Sequence, residues 1–238
     1  MKKQHGIEGR ALLPFIIIFV VLCAVIVGGA LLYRSRKSLE ASGSSSVATA
    51  PKETATPRAI APGAEPAHFR GGAEAPVILE EFADFQCPSC AALTKEVKRV
   101  APEFGARLKI VFRNFPLTSI HKHALEAAKA AEAAGLQGRF WEMHDLLYDT
   151  QSRWADAEDA RPIFAEYART LKLDLERFWR DMDSPQVNER ILADMQRGRS
   201  LGVYGTPTVF INEREIPYQS TTADGLRAAI KDALGERK

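Results

Sequence analysis

The chain has 238 residues, with 32 lysines and arginines against 30 aspartates and glutamates, the length of one domain of ordinary size plus appendages. Residues 1–66 carry eight Lys/Arg against four Asp/Glu, which leaves 24 against 26 for residues 67–238. The larger part is therefore about neutral to slightly acidic, and a nucleic-acid-binding role has no support in the charge.

Residues 1–10 are short and basic, with Lys2, Lys3 and Arg10, and read as a cytoplasmic N-terminus. Residues 11–33 follow without a charge and are rich in Ile, Val, Leu and Phe. At about 1.5 Å per residue this run spans roughly 35 Å, enough to cross a bilayer with some tilt. A cleaved secretory signal ending at Gly28-Gly29-Ala30 is the alternative. The long apolar core, followed at once by Arg34, Arg36 and Lys37, favours an uncleaved signal-anchor. Leu22 stands before Cys23, where lipid attachment asks for a small residue. Basic residues flank the span on both sides, so charge leaves its orientation nearly balanced. The shortness of the N-terminus favours a C-terminal part outside the cytoplasm. Residues 34–66, with Ser42-Gly43-Ser44-Ser45-Ser46 and then Ala, Thr and Pro, lack an apolar period and read as a flexible linker.

Residues 67–238 form the folded domain. Residues 77–83 are short, apolar and β-rich, with Gly71, Gly72 and Pro76 before them, and predict a strand. No clear strand precedes them unless His68-Phe69-Arg70 contributes. Alternation along the strand sends Glu80 and Glu81 to opposite faces, one of them exposed and the other buried near the site that follows. Residues 109–115 predict a second strand, ended by Pro116. Helical patterning then covers residues 121–134, 139–149, 157–171, 175–183 and 186–201, punctuated by Gly135, Gly138, Pro162 and Pro185. Phe140, Trp141, His144 and Leu147 recur at helical spacing, which makes His144 a packing residue rather than a metal ligand. Residues 208–211 predict a strand directly after Thr206-Pro207. A turn at Glu213-Arg214-Glu215 leads into a short strand at 216–218, and a helix over 222–234 closes the chain. The order is β-α-β, helices, β-β-α, an α/β fold.

The chemistry concentrates in Cys87-Pro88-Ser89-Cys90, where the first strand gives way to a helix. A helix N-terminus carries unpaired N–H groups and partial positive charge, which favour a thiolate. Cys87 at the N-cap is then the acidic, exposed sulfur and the nucleophile. Pro88 suits the first turn, where its missing N–H costs nothing. Cys90 lies about one turn inside, less exposed and close enough to form a disulfide, as the resolving thiol. Half of a zinc site is an alternative, but zinc usually takes four ligands. Cys23 lies far upstream, and His121 and His123 lack finger spacing. An inert structural disulfide is the third reading.

Four blocks in this order resemble the DsbA-like branch of the thioredoxin superfamily over about residues 67–236. They are Glu81-Phe82-Ala83-Asp84-Phe85-Gln86-Cys87-Pro88-Ser89-Cys90, Arg113-Asn114-Phe115-Pro116-Leu117 with His121, Phe140-Trp141-Glu142-Met143-His144-Asp145, and Gly205-Thr206-Pro207-Thr208-Val209-Phe210-Ile211. The resemblance implies a thioredoxin fold with an inserted helical subdomain at about 118–201, preceded by one transmembrane helix and a flexible linker. It implies a cis-proline at Pro207 facing the cysteine pair, with the Thr206 backbone binding the client chain. It also selects Glu81 over Glu80 as a possible buried proton acceptor for Cys90. The implied activity is thiol–disulfide oxidoreduction of cysteine-containing protein substrates on the periplasmic or extracellular face of the cell membrane. No cofactor beyond the redox-active disulfide is implied, and a membrane redox partner would reset the pair. The expected direction is oxidation. A reductase or isomerase of the same fold is the alternative, as is a non-enzymatic chaperone or metal-binding module. Strongly oxidising members carry Pro-His inside the motif, and this chain has Pro88-Ser89.

Overall fold

The structure is a computed structural model that describes residues 59–236; the expected anchor at 11–33 and the linker up to residue 58 lie outside the described residues. Among the described residues no helix is long and apolar enough to cross a membrane.

A five-stranded sheet in the order β1-β3-β2-β4-β5 organises the domain. Its strands are β1 (His68–Gly71), β2 (Val77–Ala83), β3 (Leu108–Asn114), β4 (Thr208–Ile211) and β5 (Arg214–Ile216). β2 and β3 run parallel, joined by helix α1 (Pro88–Phe104), and the other pairings are antiparallel. The parallel pair lies in the middle and is almost wholly buried, its charged residues Glu80, Glu81 and Arg113 included. His68-Phe69-Arg70 does contribute, as the edge strand β1.

Between β3 and β4 stand six helices: α2 (Ala124–Gly135), α3 (Phe140–Asp149), α4 (Gln151–Trp154), α5 (Arg161–Thr170), α6 (Leu175–Met182) and α7 (Pro185–Ser200). Helix α8 (Ala223–Ala233) ends the domain. One face of the sheet presents Val77 and Leu79 to Leu93, Val97 and Val100 of α1 and to Leu226 and Ile230 of α8. Helix α2 is buried on nearly every side, with Ala127, Ala130, Ala131, Ala133 and Ala134 inaccessible to solvent. Its small side chains let α3, α6 and α7 pack closely around it.

Three expectations need correction. The helix expected over 157–171 begins only at Arg161, because the Asp159 carboxylate accepts the Arg161 N–H and Pro162 occupies the first turn. The last hairpin turns at Asn212-Glu213, both at positive φ, so its second strand is 214–216 rather than 216–218. Asn tolerates that conformation, and here its side chain also bonds the Ile78 N–H and the Pro76 carbonyl. Finally, the end of the expected linker is docked. The Ala61, Ala64, Glu65 and Pro66 carbonyls accept hydrogen bonds from Arg197, Arg113 and Arg190. The Ala64 N–H donates to Asp194. This segment is held by its backbone acceptors rather than by apolar side chains, so an apolar-period criterion passes over it.

The same guanidinium groups explain why Glu80 is not exposed. It is buried against Arg113 (Nε–Oε1 2.8 Å) and Arg197 (Nη2–Oε2 2.8 Å), and Arg113 also reaches Asp194 at 3.0 Å. Burial opposes ionisation of Glu80, but the hydrogen bonds from Arg197 and Arg113 outweigh it and lower the pKa. Removing one member of such a cluster leaves charge buried without a partner. Arg113→Leu is therefore expected to destabilise the domain by about 3–5 kcal/mol, measured as the loss in unfolding free energy in urea.

Candidate active site

The parallel strand β2 ends at Ala83, and the turn 84–87 delivers the chain to α1. Cys87 is the N-cap, with extended backbone angles (φ −72°, ψ 121°), and Pro88 opens the helix. The Cys87 carbonyl accepts the N–H groups of Cys90 (3.1 Å) and Ala91 (3.2 Å). Both cysteines are free thiols in the structure. Cys90 is fully buried. Cys87 is only 7% exposed, less than its N-cap position suggested. The reason is the loop before β4. The Thr206–Pro207 peptide bond is cis, and the Cys87 Sγ lies 3.5 Å from the Thr206 carbonyl oxygen.

The two sulfurs differ in acidity. A hydrogen bond from the Cys90 thiol, helped by backbone N–H groups of the first helical turn, brings Cys87 down to about 5 in spite of burial. Burial, then the proximity of Cys87 and Glu81, pushes Cys90 well above the usual thiol range. Glu81 is 3% exposed and faces α1, and one of its carboxyl oxygens has no hydrogen-bond partner. Burial and the Cys87 charge raise it to about 8. At neutral pH the arrangement therefore holds one thiolate, one thiol and one protonated carboxyl.

Asp84 anchors the turn. Its buried carboxylate accepts from Gln86 N (2.8 Å), Leu117 N (2.8 Å) and His121 Nδ1 (2.8 Å), and its carbonyl accepts from Cys87 N (3.1 Å) and the Tyr148 hydroxyl (3.3 Å). From α4, Gln151 Nε2 donates to the carbonyls of Phe85 (2.7 Å) and Cys87 (3.1 Å). The helical insertion thus grips the turn directly. Asp84 was visible inside the first motif but carries no acid–base signature of its own. Tyr148 and Gln151 have no local signal at all, since they reach the turn only through tertiary packing.

His144 packs as expected, edge-on to Phe85, Phe112, Trp141 and Tyr148, and burial lowers it to about 4 despite a bond to Asp145. His123 Nε2 donates to the Ala157 carbonyl, and His121 is held by Asp84. Among the described residues no group of three or more His, Cys, Asp and Glu is arranged to hold a metal.

Cys87 and Glu81 act on stability in opposite senses. In the dithiol fold Cys87 loses its proton at lower pH than in the unfolded chain, so its contribution grows as pH rises from about 5 to the unfolded thiol value. Glu81 keeps its proton in the fold while the unfolded carboxyl ionises, so its contribution falls from ordinary carboxylate pH up to about 8. Between about 5 and 8 the two slopes oppose each other. Glu81→Gln removes one of them, and the stability of the reduced variant is expected to rise with pH relative to the parent by roughly 1 kcal/mol per pH unit in that window. Unfolding curves of both proteins at several pH values check this.

A thioredoxin family model matches residues 64–232. The chain is 40% identical over 167 residues to a protein of Salinispora arenicola named Na(+)/H(+) antiporter NhaA 1, a match covering 70% of this chain and 24% of that protein. The chain thus spans about a quarter of the length of such curated relatives, and the transporter name describes much longer proteins. Among solved structures, a thioredoxin-like oxidoreductase from Silicibacter pomeroyi superposes with a TM-score of 0.60 at 27% identity, over 71% of this chain and 92% of that one. BdbD from Bacillus subtilis in its oxidised form gives 0.59 at 23% identity, over 71% and 93%. The matched span runs from the docked segment through the cysteine turn and the helical insertion into the closing helix, and on that extent the chain belongs to the thioredoxin family.

Proposed function

We propose that this protein is a thiol–disulfide oxidoreductase that oxidises cysteine-containing proteins outside the cytoplasm, tethered to the membrane by residues 11–33. The observation that carries the reading is the asymmetry of the pair: an acidic Cys87 at the N-terminus of α1 under the Thr206–Pro207 loop, and a buried, weakly acidic Cys90. The similarity to a thioredoxin-like oxidoreductase supports it.

In the oxidising direction a client thiolate attacks Cys87 of the Cys87–Cys90 disulfide. The S–S bond breaks, Cys90 leaves with the electron pair and takes up a proton, and Cys87 is joined to the client. A second client thiolate then attacks the client sulfur of that mixed disulfide, and Cys87 leaves as a thiolate. The client loses two electrons and two thiol protons; the pair gains two electrons and one proton. Glu81 beside Cys90 is the group that exchanges the proton, and the Thr206 backbone holds the client chain. The low pKa of Cys87 favours this direction, because a stabilised thiolate stabilises the dithiol form and leaves readily. No bound cofactor takes part, and a membrane redox partner resets the dithiol.

The test is the equilibrium of the pair in glutathione buffers, with Cys90→Ala as a companion. A potential near the oxidising end, about −120 mV, is expected, and Cys90→Ala, left with the Cys87 thiolate and no resolving thiol, should attack a disulfide-bonded client and stay trapped as the mixed disulfide. A value near about −270 mV would reverse the direction to that of a reductase. Failure to form a reversible pair would overturn the redox reading in favour of a scaffold or metal-binding role.

A further inference from the structure

The motif around His121 has no part in the chemistry above, yet its contacts converge on the cysteine turn. His121 lies in the loop after β3, between the exposed Ile120 and the start of α2, and its Nδ1 is 2.8 Å from the Asp84 carboxylate. That carboxyl group also receives two backbone N–H groups, which sets Asp84 as the acceptor and His121 Nδ1 as the donor. The main chain of Asp84 in turn holds the start of the motif: its carbonyl accepts the Cys87 N–H at 3.1 Å, and the Cys87 carbonyl accepts the Cys90 N–H at 3.1 Å.

From this geometry we propose that His121 is a positioning residue for the Cys87–Cys90 pair, acting through Asp84. The dipeptide inside the motif is Pro88-Ser89 and contains no imidazole. His121 comes from a different element and fixes the backbone from which both sulfurs are oriented. Asp84 is 1% exposed, so a lost donor there is not replaced by bulk water, and its carboxylate must turn or draw on its remaining partners. Any turn of Asp84 moves the carbonyl under Cys87 and, through the Cys87 carbonyl, the first helical turn that carries Cys90. The proposal rests on the oxidoreductase reading and adds the residue that holds its geometry.

The experiment compares three full-length variants with the parent. His121→Asn places an amide N–H near the position of Nδ1; His121→Gln places it nearer the position of Nε2; His121→Leu has none. For each, the thiolate ultraviolet absorbance of reduced Cys87 is followed against pH, the glutathione equilibrium is measured, and the melting temperature is recorded. His121→Leu and His121→Gln should titrate about one pH unit higher at Cys87 and shift the equilibrium about tenfold toward the disulfide. His121→Asn should stay within about twofold of the parent. If His121→Leu does not fold, the Asn and Gln variants decide the question. Folded Leu or Gln variants that titrate and equilibrate like the parent would overturn the proposal, even with a lowered melting temperature, since that outcome marks a purely structural histidine. A parent without a reversible pair would sink the oxidoreductase reading instead, so the two failures are told apart.

Discussion

Of the two cysteines and the glutamate buried beneath the start of α1, only Cys87 is charged at neutral pH. The Cys90 thiol and the helix N-terminus stabilise charge at Cys87, while burial, reinforced by that charge, holds protons on Cys90 and Glu81. The pattern follows from position alone. The N-cap offers N–H groups to one sulfur, and one turn further in there are none to spare. Much of the domain serves to keep that geometry: a rigid parallel pair of strands below, α1 above, and the Thr206–Pro207 loop in front.

The helical insertion reaches this centre by more than apolar packing. Asn114 at the end of β3 donates to Glu132 of α2 at 2.7 Å, and Glu132 also binds His68 of β1 and Arg190 of α7. Asp194 of α7 accepts from Arg113 and from the Asn114 N–H. Buried polar groups contribute little net stability, but a misplaced one is expensive, so such networks constrain orientation more than they add free energy. With α2 and α7 held this way, α3 and α4 place Tyr148 and Gln151 at the turn before Cys87. The same arginines bind the backbone of residues 61–66, so the start of the domain and its central strands share one cluster.

Several correct and incorrect expectations have a common origin in where the signal lies. The strand at 77–83, the helix after Cys87 and the strand at 208–211 announce themselves through local periodicity and bounding Gly and Pro; the two strands form at the expected limits, and the helix starts at Pro88 as expected. β1 was marginal because four residues at a sheet edge carry too little pattern. The last hairpin was displaced because Asn212-Glu213 is an uncommon pair for two positive-φ positions. The docked segment at 61–66 was hidden because its contribution is made by carbonyl groups, which every residue has.

The amino-acid sequence by itself determined the α/β order, the place of Cys87 at a helix start, and the likeness in four blocks that carried Thr206, Pro207 and Glu81. These depend on neighbours along the chain or on spacing that survives without coordinates. Tertiary structure decided what long-range burial controls. It made Cys87 mostly covered rather than exposed, placed Glu80 in an arginine cluster, and left Glu81 protonated beside Cys90. It also brought His121, Tyr148 and Gln151 to the turn from 34 or more residues away along the chain. Desolvation and hydrogen-bond partners are properties of the packed molecule, and no local pattern encodes them.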